Sequence, residues 1–400
     1  MKYTHRTTSS KEDPFLKKLT KKTRSALLNG LIIFLTIAVV FYLGARNGNI
    51  NDAWNALRSA KTNWVLAALA CWCAFVLLEC WGVQLFFIQQ RVKIRFRSTL
   101  LVSLIGMFYS NVTPGASGGQ PMQVFSFRKY GVPPGVASSA LAVKFFCFQA
   151  SMLLLGAVLW IFNPGAVNRY ITGGKFVVIA GFFLSGFSIT AILLLAVNKN
   201  IVRSIIGFII RVLVKLRLVR HQDKAESLME KVIQDFHASV DMIKNHPLQL
   251  LELMVPAFFQ VLGYMSMAYC VYRAMGMRGI PFHQILTLQT LLYIGASFMP
   301  LPGSSGAQEG GFYLFFQNIY PADKLLGALL LWRFFTYYLA LIVGLAAVVV
   351  NSAMNLRGRK AAPNENGEGG NTVAQEAAGA DRHFSSDTPQ DHQEAQGKDQ

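Results

Sequence analysis

The sequence predicts an all-α polytopic membrane protein made of two inverted repeats, each with three spanning helices plus one re-entrant, broken helical hairpin. Three observations predict it. Only 14% of the 400 residues are charged while 53% are hydrophobic, against about 25% and 45–50% in a soluble globular chain. A short polar motif recurs 188 residues further along, breaking an apolar region each time. Basic residues collect in alternate connections between the apolar runs, as the positive-inside rule requires.

The elements follow in order. Residues 1–24 carry eight bases, and the run 25–44 (SALLNGLIIFLTIAVVFYLG) reaches the roughly 20 residues that cross hydrocarbon. It is long for a secretory signal, and Arg46-Asn47-Gly48 follows it where a small-x-small cleavage site would stand, so it reads as an uncleaved first helix. Further runs of spanning length lie at 64–88, 135–162, 171–197, 248–272 and 323–351. The 89–97 loop (Arg91, Lys93, Arg95, Arg97), the 198–246 stretch and the start of the tail (Arg357, Arg359, Lys360) are basic and assigned to the cytoplasm. The connections 163–170 and 273–282, poorer in bases, face outward, while the 46–63 loop is less decided.

This assignment needs an odd number of crossings between 89–97 and 163–170. The run 135–162 supplies one, so 98–131 enters from inside and returns; the same count makes 283–318 enter from outside and return. The alternative, in which both broken segments cross fully with other loop assignments, stays open. The repeats are then 25–197 and 247–352. Between them, IVRSIIGFIIRVLVKLR puts Arg203, Arg211 and Lys215 on one stripe of an amphipathic helix lying on the inner leaflet. A second connector helix at 222–245 carries Met229, Val232, Ile233, Phe236 and Val240 on one face. Residues 353–400 form an acidic, Gly-rich tail that buries too little apolar surface to fold.

The net charge of +18 combines +24 in residues 1–360 with −6 in the remainder. Because the bases flank membrane spans, the partner they indicate is the anionic lipid surface and not nucleic acid. All five cysteines fall in apolar runs, no histidine pair has metal-ligand spacing, and no phosphate-loop lysine motif is present, so no metal or cofactor is expected. Gly115-Ala116-Ser117-Gly118-Gly119 fits the G-x-S-x-G pattern of a hydrolase elbow. An elbow needs a strand before the serine, whereas the residues before Ser117 are an apolar helical run, so no catalytic residue is assigned.

The recurrence explains Ser117 differently. Pro114 to Pro121 (PGASGGQP) aligns with Pro302 to Glu309 (PGSSGAQE), sharing Pro, Gly, Ser, Gly and Gln. Interrupted hydrophobic segments at matching places in two halves mark a transporter-type binding site. The polar groups there are Asn111, Ser117, Gln120 and Gln123 in the first half, and Ser304, Ser305 and Gln308 in the second. They either receive a phosphate head group or satisfy one another inside the bundle. Glu79, Lys144, Glu309 and Arg333 lie deep in apolar runs, where charge is costly and functional by default. Lys144 and Arg333 stand about ten residues into the helix after each hairpin and are the expected phosphate ligands. Glu309 or Glu79 would pair with one of them or carry a proton; a structural ion pair is the competing explanation.

These motifs carry a family resemblance. Asn111, Pro114, Ser117 to Pro121, Gln123 and Ala137 to Phe146, with Phe298 to Pro302 and Glu309 to Phe312, resemble the lysylphosphatidylglycerol synthase transmembrane, flippase-like family over about residues 25–352. The resemblance implies a cell-membrane protein that moves phospholipid, of anionic or aminoacylated phosphatidylglycerol type, between leaflets; the bases of the amino terminus and of the tail's start put both termini in the cytoplasm. In full-length relatives such movement lowers sensitivity to cationic peptides, and a soluble domain transfers lysine from lysyl-tRNA to the lipid. The fifty or so residues after the last span are too few for that domain, so the expected function is translocation, which can operate beside a separate lipid synthase as partner. The alternative is a phosphatidylglycerol lysyltransferase or its membrane subunit.

Overall fold

A computed structural model of the chain describes residues 50–171, 174–198, 233–241 and 245–361, together with 201, 204 and 230. The run 25–44, the Arg203–Lys215 stripe and the tail after 361 lie outside the described residues. Every regular element among the described residues is helical. They are α1 (Ile50–Arg58), α2 (Thr62–Gln89), α3 (Phe96–Val112), α4 (Gly119–Lys129), α5 (Pro134–Phe162) and α6 (Pro164–Tyr170). Then come α7 (Lys175–Val197), α8 (Pro247–Ala274), α9 (Phe282–Ala296), α10 (Ala307–Phe316), α11 (Ala322–Arg333) and α12 (Leu339–Ala361). By contacts the chain divides into units 1–349 and 350–400.

Among the described residues, five helical stretches are long and apolar enough to cross a membrane: Thr62–Gln89, Pro134–Phe162, Lys175–Leu194, Pro247–Ala274 and Ala322–Met354. They coincide with five of the predicted runs because length and lack of charge alone decide that property. Proline opens α5, α6 and α8 at the first helical turn, where its missing amide has no partner to lose.

Two connections read as loops are short helices instead. In α1 Ala53 and Ala56 are buried, and in α6 Ala166, Val167 and Tyr170 are; these small apolar faces are too short to register as spans. The last span is not one regular helix, because α11 and α12 join through a π-helical turn, Phe334–Tyr338. Its α-helical end runs past Asn351 to Ala361, through good helix formers and up to the first proline. In the connector, residues 233–241 are helical with Ile233 and Val240 buried. Gln90 at the end of α2 donates to the Ser239 carbonyl at 3.3 Å.

Helices α2 and α8 run antiparallel along most of their lengths. Trp64 meets Tyr269 and Phe75 meets Tyr264, with ring centroids 5.9 and 4.9 Å apart. At the far end Gln89 donates to the Gln249 carbonyl and to Glu252 at 3.1 and 3.0 Å. Lipid tails give helices no hydrophobic reason to associate, so close packing must do so. Gly181 of α7 shows how close: a methyl there would lie 2.3 Å from the Ile294 carbonyl oxygen of α9.

The two hairpins, α3–α4 and α9–α10, have their feet at opposite ends of α2. The first stands at the Gln89 end, where Gln84 donates to the Ile94 carbonyl (3.1 Å) and Phe87 packs edge-on against Phe127 (5.0 Å). The second stands at the Lys61 end, where the Lys61 amide donates to the Ala274 carbonyl (2.8 Å) and Tyr272 meets Tyr320 (5.9 Å). Their tips, the 3-10 turns Pro114–Ala116 and Pro302–Ser304, pack on each other between those ends.

Candidate lipid-binding cavity

The tips repeat in backbone as well as in sequence. Gly115 and Gly303 have φ of 58° and 59°, and the next residues, Ala116 and Ser304, have φ of 55° and 50°. Two successive left-handed residues turn the chain sharply, glycine adopting that region freely and the second residue at a cost. Each tip is closed locally: the Ser117 and Ser305 hydroxyls donate to the carbonyls of Pro114 and Pro302 at 2.9 and 2.7 Å. Across the tips, the Tyr337 hydroxyl donates to the Asn111 carbonyl at 3.3 Å.

Around the tips lies a cavity of about 450 Å³, within the roughly 300–1,000 Å³ of ligand pockets. Asn111, Ser117, Gln120, Gln123, Lys144, Ser304, Gln308 and Arg333 all line it. They come from α3, the first tip, α4, α5, the second tip, α10 and α11, brought together because both hairpins end there. Ser305 and Glu309, both buried, stand behind its wall. Aromatic surface from Trp72, Phe75, Phe148, Tyr264, Tyr293 and Tyr337 adds to the wall, as do Glu79 and Gln260. Gln123 is placed by a missing side chain: a methyl on Gly106 would fall 2.3 Å from its Cδ. The Oε1 of Gln308 is buried without a hydrogen-bond partner, a costly state that a donor in the cavity would relieve.

Both bases are paired, in unequal ways. Arg333 donates through Nε to Oε1 of Glu309 at 2.7 Å, and a second guanidinium nitrogen lies 2.7 Å from the same oxygen. The other carboxylate oxygen accepts the Gly306 amide at 2.6 Å, capping α10. The guanidinium also reaches the Gly303 carbonyl at 3.4 Å and lies over the rings of Trp332 and Tyr337. Side-chain exposure is 4% for Arg333 and 1% for Glu309. This pair ties α11 to the second tip.

Lys144 of α5 pairs with Oε1 of Glu79 of α2, while Gln260 of α8 donates to Oε2 of Glu79 at 2.7 Å. Here the lysine keeps 21% of its side chain accessible. Its ammonium is a point charge with three donors, so it can bind an anion while Glu79 keeps its Gln260 bond. Gln260, Tyr264 and Tyr337 carried no signal in the sequence, being ordinary residues of long apolar helices. The π-helical turn directly after Arg333 was equally silent, although Thr336 and Tyr337 within it face the cavity.

Antiparallel spanning helices, two broken hairpins meeting mid-bundle and a polar cavity at their tips define a multi-pass membrane protein with a central polar site. The chain belongs to the lysylphosphatidylglycerol synthase TM region family, whose profile matches residues 27–344. It is 26% identical over 334 residues to a UPF0104 membrane protein of Archaeoglobus fulgidus, covering 81% of this chain and 96% of the relative. Two UPF0104 membrane proteins of Methanothermobacter thermautotrophicus are 22% and 25% identical over 342 residues, covering 82% and 80% of this chain and 95% and 92% of the relatives.

Proposed function

We propose that the protein translocates phospholipid between leaflets, its cargo an anionic or aminoacylated lipid of the phosphatidylglycerol type. The observation that carries this reading is Lys144, a partly accessible base at a cavity that amides, hydroxyls and aromatic rings also line. A phosphodiester cannot cross hydrocarbon bare, because unpaired charge there costs on the order of 10 kcal/mol or more. Lys144 would take the phosphate in exchange for Glu79, with Gln120 and Gln308 turning their amides to the glycerol oxygens. The start of α4 at the first tip adds partial positive charge. Arg333 holds the second tip in place.

On this reading the halves 25–197 and 247–352 are inverted copies. The antiparallel course of α2 and α8 and the opposite feet of the hairpins support that relation. The basic 89–97 loop then faces the cytoplasm, with both termini on the same side of the cell membrane, and a separate lipid synthase would supply any aminoacylated cargo. The test is purified protein in liposomes of phosphatidylglycerol bearing a quenchable fluorophore. Protein-dependent exposure of inner-leaflet label, slowed about tenfold by Lys144→Gln through loss of a charge-assisted contact, supports the reading. No protein-dependent movement defeats it, and lysyl-tRNA-dependent lysylation by the purified chain would establish the transferase instead.

A further inference from the structure

A second cavity of about 520 Å³ lies beside the first, between α4 and α5. Its lining falls on two helical stripes that face each other: Gln120, Val124 and Arg128 at four-residue spacing on α4, and Pro134, Ser138 and Leu141 on α5. Residues so spaced share one helix face. Gln120 and Leu141 also line the central cavity, so the two spaces meet at that pair. One helical turn past Leu141, the same face of α5 presents Lys144.

The outer part is exposed and chemically graded. Phe125 is 53% exposed, which in a spanning bundle means contact with lipid tails, and the Lys129 ammonium lies 4.7 Å from its ring centroid. Arg128 is exposed at the end near the α4–α5 turn. From outside inward the polar groups are therefore Arg128, Ser138, Gln120 and Lys144, beside an apolar wall of Pro121, Val124, Phe125 and Leu141.

We propose that this groove is the lateral access path for phospholipid. The head-group phosphate first meets Arg128 and passes Ser138 and Gln120 to Lys144, while the tails stay outside against Val124 and Phe125. The inference rests on the lipid-translocation reading for its purpose, but its site is separately measurable. Phosphatidylglycerol carrying a diazirine near its glycerol is reconstituted with the protein, irradiated, and the label mapped by peptide mass spectrometry.

Labelling of residues 120–128 and 134–141 several-fold above that of Phe183 and Phe187, exposed apolar residues of α7, is the expected result. Arg128→Gln, at an exposed position that does not threaten folding, should bring it down to about the α7 level by removing a charge-assisted contact. Ser138→Trp should slow translocation at least as much as Lys144→Gln, and Phe187→Trp should leave it unchanged. Labelling equal to that on α7, or unmoved by Arg128→Gln, overturns the groove even if translocation is robust. Groove labelling without any translocation sustains the lipid site and defeats the transport reading alone.

Discussion

Lys144 and Arg333 occupy matching places in the two halves, yet their removal should produce opposite failures. Arg333 and Glu309 are both almost wholly buried, and the carboxylate accepts from the guanidinium on one oxygen and from the Gly306 amide on the other. Arg333→Gln leaves that carboxylate charged, buried and without its cation, a loss of about 3–5 kcal/mol. Lys144 is partly accessible, and Glu79 retains its bond from Gln260. Lys144→Gln leaves Glu79 buried but still bonded to Gln260 and should therefore cost less, about 1–3 kcal/mol. Thermal unfolding in detergent, followed by tryptophan fluorescence, would show a drop of several degrees for Arg333→Gln and a small one for Lys144→Gln. Translocation in liposomes should fall about tenfold for Lys144→Gln while its fold persists. Pairing Arg333→Gln with Glu309→Gln keeps an acceptor for Gly306 and removes the stranded charge, so most of the lost stability should return. The reasoning is refuted if Arg333→Gln unfolds like the wild type but stops translocation, or if the double variant is no more stable than the single.

Three further outcomes follow from the packing. Gly303→Ala puts a methyl at φ 59° and 2.2 Å from the Tyr337 ring, which should cost about 1–3 kcal/mol; an unchanged melting temperature would contradict the tip geometry. Gly181→Ala drives a methyl against the Ile294 carbonyl, backbone that cannot swing aside, and should cost about 1–3 kcal/mol in the same assay. Ser117→Ala removes a hydroxyl whose proton is already committed to the Pro114 carbonyl. Translocation should stay within about twofold, a loss well under one charge-assisted bond; abolition would make the Ser117 hydroxyl a direct head-group contact.

Much of the architecture could be read before any coordinates. The five described spans follow from runs of uncharged residues, and both hairpin breaks follow from Pro-Gly pairs at a constant offset. Ser117 matched a hydrolase pattern through its glycines alone; its recurrence as Ser305 pointed to a turn, and the hydroxyls of both close such turns. The short helices α1 and α6 were missed because a face of two or three small apolar residues is indistinguishable from a loop. The π-helical turn was missed because FFTYY continues an apolar run without punctuation.

By itself the sequence determined what each segment is: which stretches suit hydrocarbon, where the helices break, and which charges lie too deep to be incidental. Those properties are local, set by composition, periodicity and the backbone limits of proline and glycine. Only the tertiary structure decided what each charge does. Glu79 meets Lys144 across 65 residues and Gln260 across 181, while Glu309 closes on Arg333 across 24. Nothing in the spacing of an apolar helix encodes which base its lone acid will face, because helix packing sets that choice. The same packing buries Arg333 and leaves Lys144 within reach, so two bases similarly placed in sequence become a closed clasp and a partly accessible pair.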